Sequence, residues 1–160
     1  MAIITLNNNS LSSVTSLPAG VGGKVLQVVT ATDSTTRTTT STSFVTGSNT
    51  LSLNITPSAT SSKIFIMVNA TGYNSDGNDN AYTIYRDSTN LGGSDGLVFV
   101  QHGVPSSNAA QSSVAMSTLD SPSTTSQITY QVYYRRLTTG TAELGRNNAE
   151  STITAFEIAG

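Results

Sequence analysis

The chain of 160 residues contains no cysteine and no tryptophan, and only 10% of its residues are charged. Without cysteine it has no disulfide framework, no thiolate nucleophile and no cysteine-ligated zinc site. Its seven Lys and Arg residues are too few and too dispersed to neutralise a nucleic-acid backbone, which requires clustered cations. No stretch approaches the ~18 consecutive apolar residues of a membrane-spanning helix. We therefore expect no nucleic-acid binding and no membrane insertion, and no motif indicates a cofactor.

Threonine and serine are abundant instead, with 26 and 24 copies. A typical soluble domain carries about 25% charged residues. The surface of this protein must therefore consist largely of neutral hydroxyl and amide groups. The length corresponds to one domain, since a domain usually has about 100–200 residues.

Residues 1–24 differ in pattern from the rest of the chain. A short apolar patch and a run of asparagines come first, and the segment closes with the turn-forming residues Pro18–Gly23. Neither the basic region nor the continuous apolar core of a secretory signal is present at the N-terminus. We predict an extended N-terminal arm and hinge at 1–24, followed by a folded domain at 25–160.

The domain consists of short runs rich in β-branched and aromatic residues, separated by turn-forming clusters, a pattern typical of strands. Nine such runs lie at 25–29, 43–45, 51–55, 63–70, 81–86, 97–100, 113–119, 128–134 and 153–158. No amphipathic helices intervene, so the pattern predicts an all-β fold, an antiparallel β-sandwich of the jelly-roll type. Run 63–70 is apolar on both faces and is predicted to be a central strand. The hydroxyl-rich tract 30–42 is predicted to be an edge strand or an exposed loop.

Aromatic residues fall on both faces of run 128–134, since Tyr130 and Tyr134 alternate with Tyr133. Arg135 shares the face of Tyr133. Aromatic and Arg side chains at a surface suit contact with carbohydrate or protein. Packing against the sheets is the interpretation that the sequence favours, and the contact function stays open.

Two segments formally match chemical sites. Gly92–Gly96 fits the G-x-S-x-G nucleophile pattern, but that motif needs a helix after the serine, and strand-like residues follow here. The single histidine, His102, is too near Ser94 in sequence to resemble the histidine of a hydrolase triad. Asn74–Asn80 offers oxygen ligands yet departs from the EF-hand pattern. We interpret both segments as turns and predict no catalytic residue, no metal site and no enzyme activity.

Three segments, taken in order, resemble a domain that recurs in structural proteins of tailed bacteriophages, especially marine ones. They are Gly22–Val29, Leu53–Ile66 and the ending Ser151–Gly160. The resemblance runs across most of residues 22–160. It implies a non-enzymatic virion component with an all-β domain, commonly a homotrimer, found in tail fibres, head fibres or capsid decoration proteins.

The resemblance also implies roles for the two parts of the chain. In such proteins a short N-terminal arm commonly attaches to the particle while the β domain projects. The chain would then be made in the host cytoplasm and displayed on the virion surface, bound to other capsid or tail proteins. The predicted attachment residues are the apolar side chains of the arm, namely Ile3, Ile4, Leu6, Leu11, Val14 and Leu17.

Two other functions stay open from the sequence. The first is a host-receptor or glycan-binding tail-fibre module that uses loops such as 72–80 and 92–96. The second is a polysaccharide hydrolase, because paired carboxylates meet in space rather than in sequence. No residue pattern marks such a pair.

Overall fold

A computed structural model describes residues 24–75, 79–101 and 110–160. Within these ranges the chain forms eleven β-strands and one short 3-10 helix at Arg146–Asn148. The strands are β1 (Val25–Asp33), β2 (Arg37–Thr39), β3 (Ser52–Ile55), β4 (Lys63–Asn74), β5 (Asn80–Arg86), β6 (Thr89–Asn90), β7 (Val98–Val100), β8 (Ala110–Asp120), β9 (Ile128–Arg136), β10 (Ala142–Leu144) and β11 (Ser151–Ile158).

The strands form two antiparallel sheets that pack face to face. In the six-stranded sheet the order is β1-β11-β4-β10-β2, and β8 pairs with the other side of β4. In the five-stranded sheet the order is β3-β9-β5-β6, and β7 also pairs with β5. Setting aside the short β2, β6 and β10, the sheets are β1-β11-β4-β8 and β3-β9-β5-β7. This strand order is that of a jelly roll, so the predicted β-sandwich is confirmed.

Alternating burial explains why these segments are strands. In β4, Ile64, Ile66 and Val68 are buried between the sheets, while Phe65 and Met67 lie on the outer face. This strand has partners on both sides, as predicted for run 63–70, and it continues to residue 74.

The interior is filled by aliphatic side chains from both sheets and by three buried tyrosines, Tyr82, Tyr130 and Tyr134. The rings of Tyr82 and Tyr134 stack with centroids 6.0 Å apart. Tyr82 Oη donates to the carbonyl of Glu143 at 2.8 Å, and Tyr130 Oη donates to Asp120 Oδ2 at 2.6 Å. Burial raises the pKa of all three phenols, which are therefore uncharged.

The strand predictions were wrong in two respects. Run 43–45 is not a strand, because Val45 makes only an isolated bridge to Tyr134. The second error is that β6 and β10, which have two and three residues, were not predicted. All three residues of β10 are buried, including Glu143, so this strand shows no alternation of polar and apolar side chains. The tract 30–42 contributes the end of β1 and the edge strand β2.

Candidate interaction surface

The outer face of the six-stranded sheet carries a row of apolar side chains that crosses four strands. Val28 lies opposite Phe156, Phe156 lies opposite Phe65, and Phe65 lies opposite Leu119. The two phenylalanine rings have centroids 6.3 Å apart. Val28 and Leu119 end the row and are 54% and 53% exposed. We call these four residues the apolar row.

The residues beside the apolar row are neutral except for Lys63. On one side lies a parallel line of Thr30, Thr154, Met67 and Ser117, in which Thr30 Oγ1 and Thr154 Oγ1 are 3.0 Å apart. On the other side Ile158 lies opposite Val25 and Lys63. Among the outward side chains of the long strands β1, β4, β8 and β11, only that of Lys63 is charged. The face therefore has an apolar centre with a border of mostly hydroxyl side chains on one side.

Glu157 supports the apolar row from inside the sandwich. It follows Phe156 in β11, faces the interior and is fully buried. Its carboxylate accepts hydrogen bonds from Ser62 Oγ at 2.6 Å, Gln27 Nε2 at 2.6 Å, and the backbone N–H and Oγ of Ser58 at 2.6 and 3.1 Å. These bonds tie β1, β11 and the loop between β3 and β4 together at this end of the sheet.

The pKa of Glu157 reflects two opposing effects. Burial alone would raise the pKa of the carboxyl, but the hydrogen bonds from Ser62, Gln27 and Ser58 outweigh it and hold the pKa below its ordinary value. The group is therefore a buried anion at neutral pH, with donors on both carboxylate oxygens. Its contacts are structural, and they fix the position of β11 and hence of Phe156.

The outer face of the five-stranded sheet carries an aromatic cluster whose rings contact one another. Tyr85 and Tyr133 stack with centroids 4.1 Å apart, and the rings of Phe44 and Tyr85 meet edge to face with centroids 6.4 Å apart. The guanidinium of Arg135 lies 4.7 Å above the Phe44 ring and donates to the carbonyls of Thr42 and Ser94. These contacts hold two loops against the sheet, which is the packing role that the sequence favoured for this face.

The segment 92–96 forms a turn. Gly96 N donates to the carbonyl of Gly93 at 3.0 Å, and Leu97 N donates to that of Tyr82 at 2.9 Å. A strand, β7, follows rather than a helix. Ser94 therefore does not occupy the strand-to-helix turn that a nucleophile elbow requires.

Other sites predicted from the sequence lie wholly or partly outside the described residues. The six attachment residues of the arm and His102 are among them, as are residues 76–78 of the oxygen-rich segment. At the ends of that segment, Asn74 Nδ2 donates to Asn80 Oδ1 at 2.8 Å, and Asn80 Nδ2 donates to the carbonyl of Tyr73 at 2.9 Å. These amide contacts join β4 to β5.

The apolar row was not predicted from the sequence, although one signal of it is present there. Phe65 and Met67 make run 63–70 apolar on its outer face, a feature that predicts a central strand. A central strand with an apolar outer face also predicts a surface that another protein covers.

Within 24–75, 79–101 and 110–160, no group of three or more Asp, Glu or His residues is placed to hold a metal ion. The same part of the chain has no helix long and apolar enough to cross a membrane. Comparison of the chain with protein-family models gave no match, and comparison with curated protein sequences gave none either.

Proposed function

We propose that the protein is a non-enzymatic structural component of a phage virion, a homotrimeric fibre or decoration protein that is docked to the particle through residues 1–24. The observation that carries the self-associating part of this proposal is the apolar row on the outer sheet face. The phage and virion part rests on the sequence resemblance of residues 22–160.

A protein–protein contact suits the physical character of this face. Interfaces typically have an apolar centre, a polar rim and few charged groups at the centre. The largest contiguous apolar patch on a monomer is about 300–600 Å² and is often functional. Val28 and Leu119 are each more than half exposed, and burial of apolar area yields about 25 cal/mol per Å². Covering these two ends of the row with another copy would therefore stabilise an oligomer.

The neutral surface suits a protein displayed on a particle. With 10% charged residues, the chain has little long-range attraction to other macromolecules. Few ion pairs are available for salt to screen, so its contacts should change little with ionic strength. A host-receptor or glycan-binding module gains no support from the cluster of Phe44, Tyr85 and Tyr133, because those rings contact one another and Arg135.

Deleting residues 1–20 tests the docking role. Virions assembled with the truncated chain should lack it, while the purified truncated chain keeps its β-type circular dichroism spectrum and its oligomeric mass. The full-length chain, carried through the same virion purification, is the control. Retention of the truncated chain on virions would contradict docking through the arm. Loss of folding would contradict the division into arm and domain.

A further inference from the structure

The six-stranded sheet has two long edge strands, β1 and β8. In the order β1-β11-β4-β8 each neighbouring pair is antiparallel, so β1 and β8 run in opposite directions. A rotation about an axis parallel to the strands leaves strand directions unchanged. It would therefore place β8 of one copy antiparallel to β1 of the next copy, which is a favourable pairing.

Among the residues that the structure describes, β8 carries none of the usual protection against such pairing, and β1 carries it only near its two ends. Natural edge strands are blocked by Lys, by Pro, by bulges or by a covering segment. β8 pairs with β4 over eleven consecutive positions without a register shift and contains no Lys, Arg or Pro. β1 has one irregularity, between Val25 and Gln27, and its remaining pairs with β11 are continuous.

The backbone groups of Leu119 point to the open edge of β8. The carbonyl of Thr71 accepts a hydrogen bond from Gly145 N on the β10 side of β4. The backbone N–H and C=O groups of the odd-numbered residues of β4 therefore point toward β10 and β11, and those of the even-numbered residues point toward β8. Even-numbered residues of β8 pair with those even-numbered residues of β4. The N–H and C=O of Leu119 consequently point away from β4.

The backbone groups of Val28 point to the open edge of β1. Ala159 N donates to the carbonyl of Lys24 on the β1 side of β11. The backbone N–H and C=O groups of the odd-numbered residues of β11 and of their odd-numbered partners in β1 therefore point toward each other. The backbone N–H and C=O groups of Val28 and the following even-numbered residues of β1 therefore point to the open edge of the sheet. The carbonyl of Thr32 points in this direction, because it accepts a hydrogen bond from Thr50 Oγ1, which lies outside the sheet.

These two residues are also the two ends of the apolar row. We propose that copies of the chain associate head to tail, with β8 of one copy paired to β1 of the next so that Leu119 lies opposite Val28 of that copy. The row would then continue from copy to copy. The pairing would also place Ser117 opposite Thr30, with no charged side chain among these residues. It would end before Thr32, whose carbonyl already accepts from Thr50 Oγ1 of its own copy. A head-to-tail contact closes into a ring when its rotation allows.

This proposal rests on the self-association in the proposed function and adds the surface and the symmetry of the contact. The alternative contact, β8 with β8 of a second copy, is two-fold symmetric. In that contact a residue at the centre of the paired stretch would lie opposite the same residue of the second copy, and residues at one end of β8 would lie opposite those at the other end. It would leave Val28 uncovered, so the head-to-tail contact is the one that uses both ends of the row.

The absence of cysteine permits a direct test with the double variant Val28→Cys/Leu119→Cys. Within one copy the two positions are three strand spacings apart, about 14 Å, and a disulfide spans at most about 7 Å between Cα atoms. Any disulfide must therefore join two copies. After mild oxidation, the double variant should give covalent dimers and trimers on a non-reducing gel, whereas each single variant should stay monomeric on the gel.

The matched control is Val28→Cys/Ser113→Cys. Ser113 is exposed on the same face of β8 as Leu119, but it lies about 20 Å away along the strand. This control should not cross-link. A covalent dimer from Leu119→Cys alone would overturn the proposal in favour of a two-fold contact. Absence of cross-links in the double variant, with an oligomeric mass in solution, would overturn the proposal and leave self-association standing.

A second variant tests the edge without new cysteines. Ser117 is odd-numbered and directs its N–H to the open edge, so Ser117→Pro keeps the hydrogen bonds to β4 and removes a donor from the proposed pair. We expect at least a tenfold weaker association, with Ser117→Thr as the control. Unchanged association of a folded Ser117→Pro variant would overturn the proposal. A monomeric wild-type chain would instead refute the proposed self-association itself.

Discussion

Ser62 Oγ donates a hydrogen bond of 2.6 Å to Glu157 Oε1, which joins the loop before β4 to β11 in the interior of the sandwich. A buried carboxylate with several donors contributes stability only while it is ionised. Glu157 has a pKa below the ordinary value of 4.5. Its contribution is therefore fully present above pH 4.5 and is lost as the pH falls through the folded-state pKa.

The first prediction concerns Glu157→Gln. An amide cannot accept on both of its polar atoms, so at least one of the donors from Ser62, Gln27 or Ser58 loses its acceptor. We expect a loss of about 1–3 kcal/mol in the free energy of unfolding at pH 7. Urea unfolding at pH 7 and at pH 3 should show a smaller acid destabilisation in the variant than in wild type. Equal pH dependence of the two proteins would contradict this role.

Some acid destabilisation should persist in that variant because of Asp33. Burial alone would raise the pKa of Asp33, but hydrogen bonds from the Thr50 N–H, Arg37 and the Thr35 N–H lower it below the ordinary value. The sign is the same as for Glu157, with stability lost as the pH falls. Asp33→Asn in the Glu157→Gln background should further flatten the dependence of stability on pH below 4.5.

The second prediction compares two stacked tyrosines. Tyr82 Oη donates to the Glu143 carbonyl, whereas the buried Tyr134 Oη has no hydrogen-bond partner among the described residues. Tyr82→Phe should lower the free energy of unfolding by about 1 kcal/mol or more, and Tyr134→Phe should leave it unchanged or raise it. Chemical denaturation of both variants checks this. The reverse order would show that the core is arranged differently.

The third prediction concerns the turn at 92–96. Gly96 has a φ of 80°, and an added Cβ would collide with the carbonyl oxygen of Tyr82. Gly93 has open space where a Cβ would lie. Gly96→Ala should therefore lower the thermal midpoint by several degrees, while Gly93→Ala should leave it nearly unchanged. Equal midpoints for the two variants would contradict the turn geometry.

The fourth prediction concerns the apolar row. Phe65→Thr removes the ring that lies beside Leu119 in the row and keeps a β-branched residue that suits a strand. We expect association to weaken at least tenfold, or about 1.4 kcal/mol, with the spectrum of a folded β protein retained. Asn69→Thr, on the same strand and face, is the control. Unaltered association in Phe65→Thr would exclude the row from the contact.

The fold was predictable from the sequence because a strand that is buried on one face shows a local alternation of polar and apolar residues. Run 51–55 shows it, because Leu51, Leu53 and Ile55 are buried while Ser52 and Asn54 are not. The eight runs that form strands are the eight strands of the jelly roll. β10 was not predictable because Glu143 is buried there, where a local pattern predicts exposure. The position of run 43–45 depends on a loop packed over the sheet rather than on alternation.

The apolar row was not predictable for a different reason. Val28, Phe65, Leu119 and Phe156 are far apart in the chain and come together only through the registers of three strand pairs. A one-residue slip in any pair would move a member to the opposite face. The sequence supplied the apolar outer face of β4, but not the residues that extend it.

The molar mass in solution, measured by sedimentation equilibrium over a range of concentrations, tests the central claim that this protein associates with copies of itself. Our account predicts a species of about three times the chain mass of 16.6 kDa. A mass of 16.6 kDa at every concentration would contradict it.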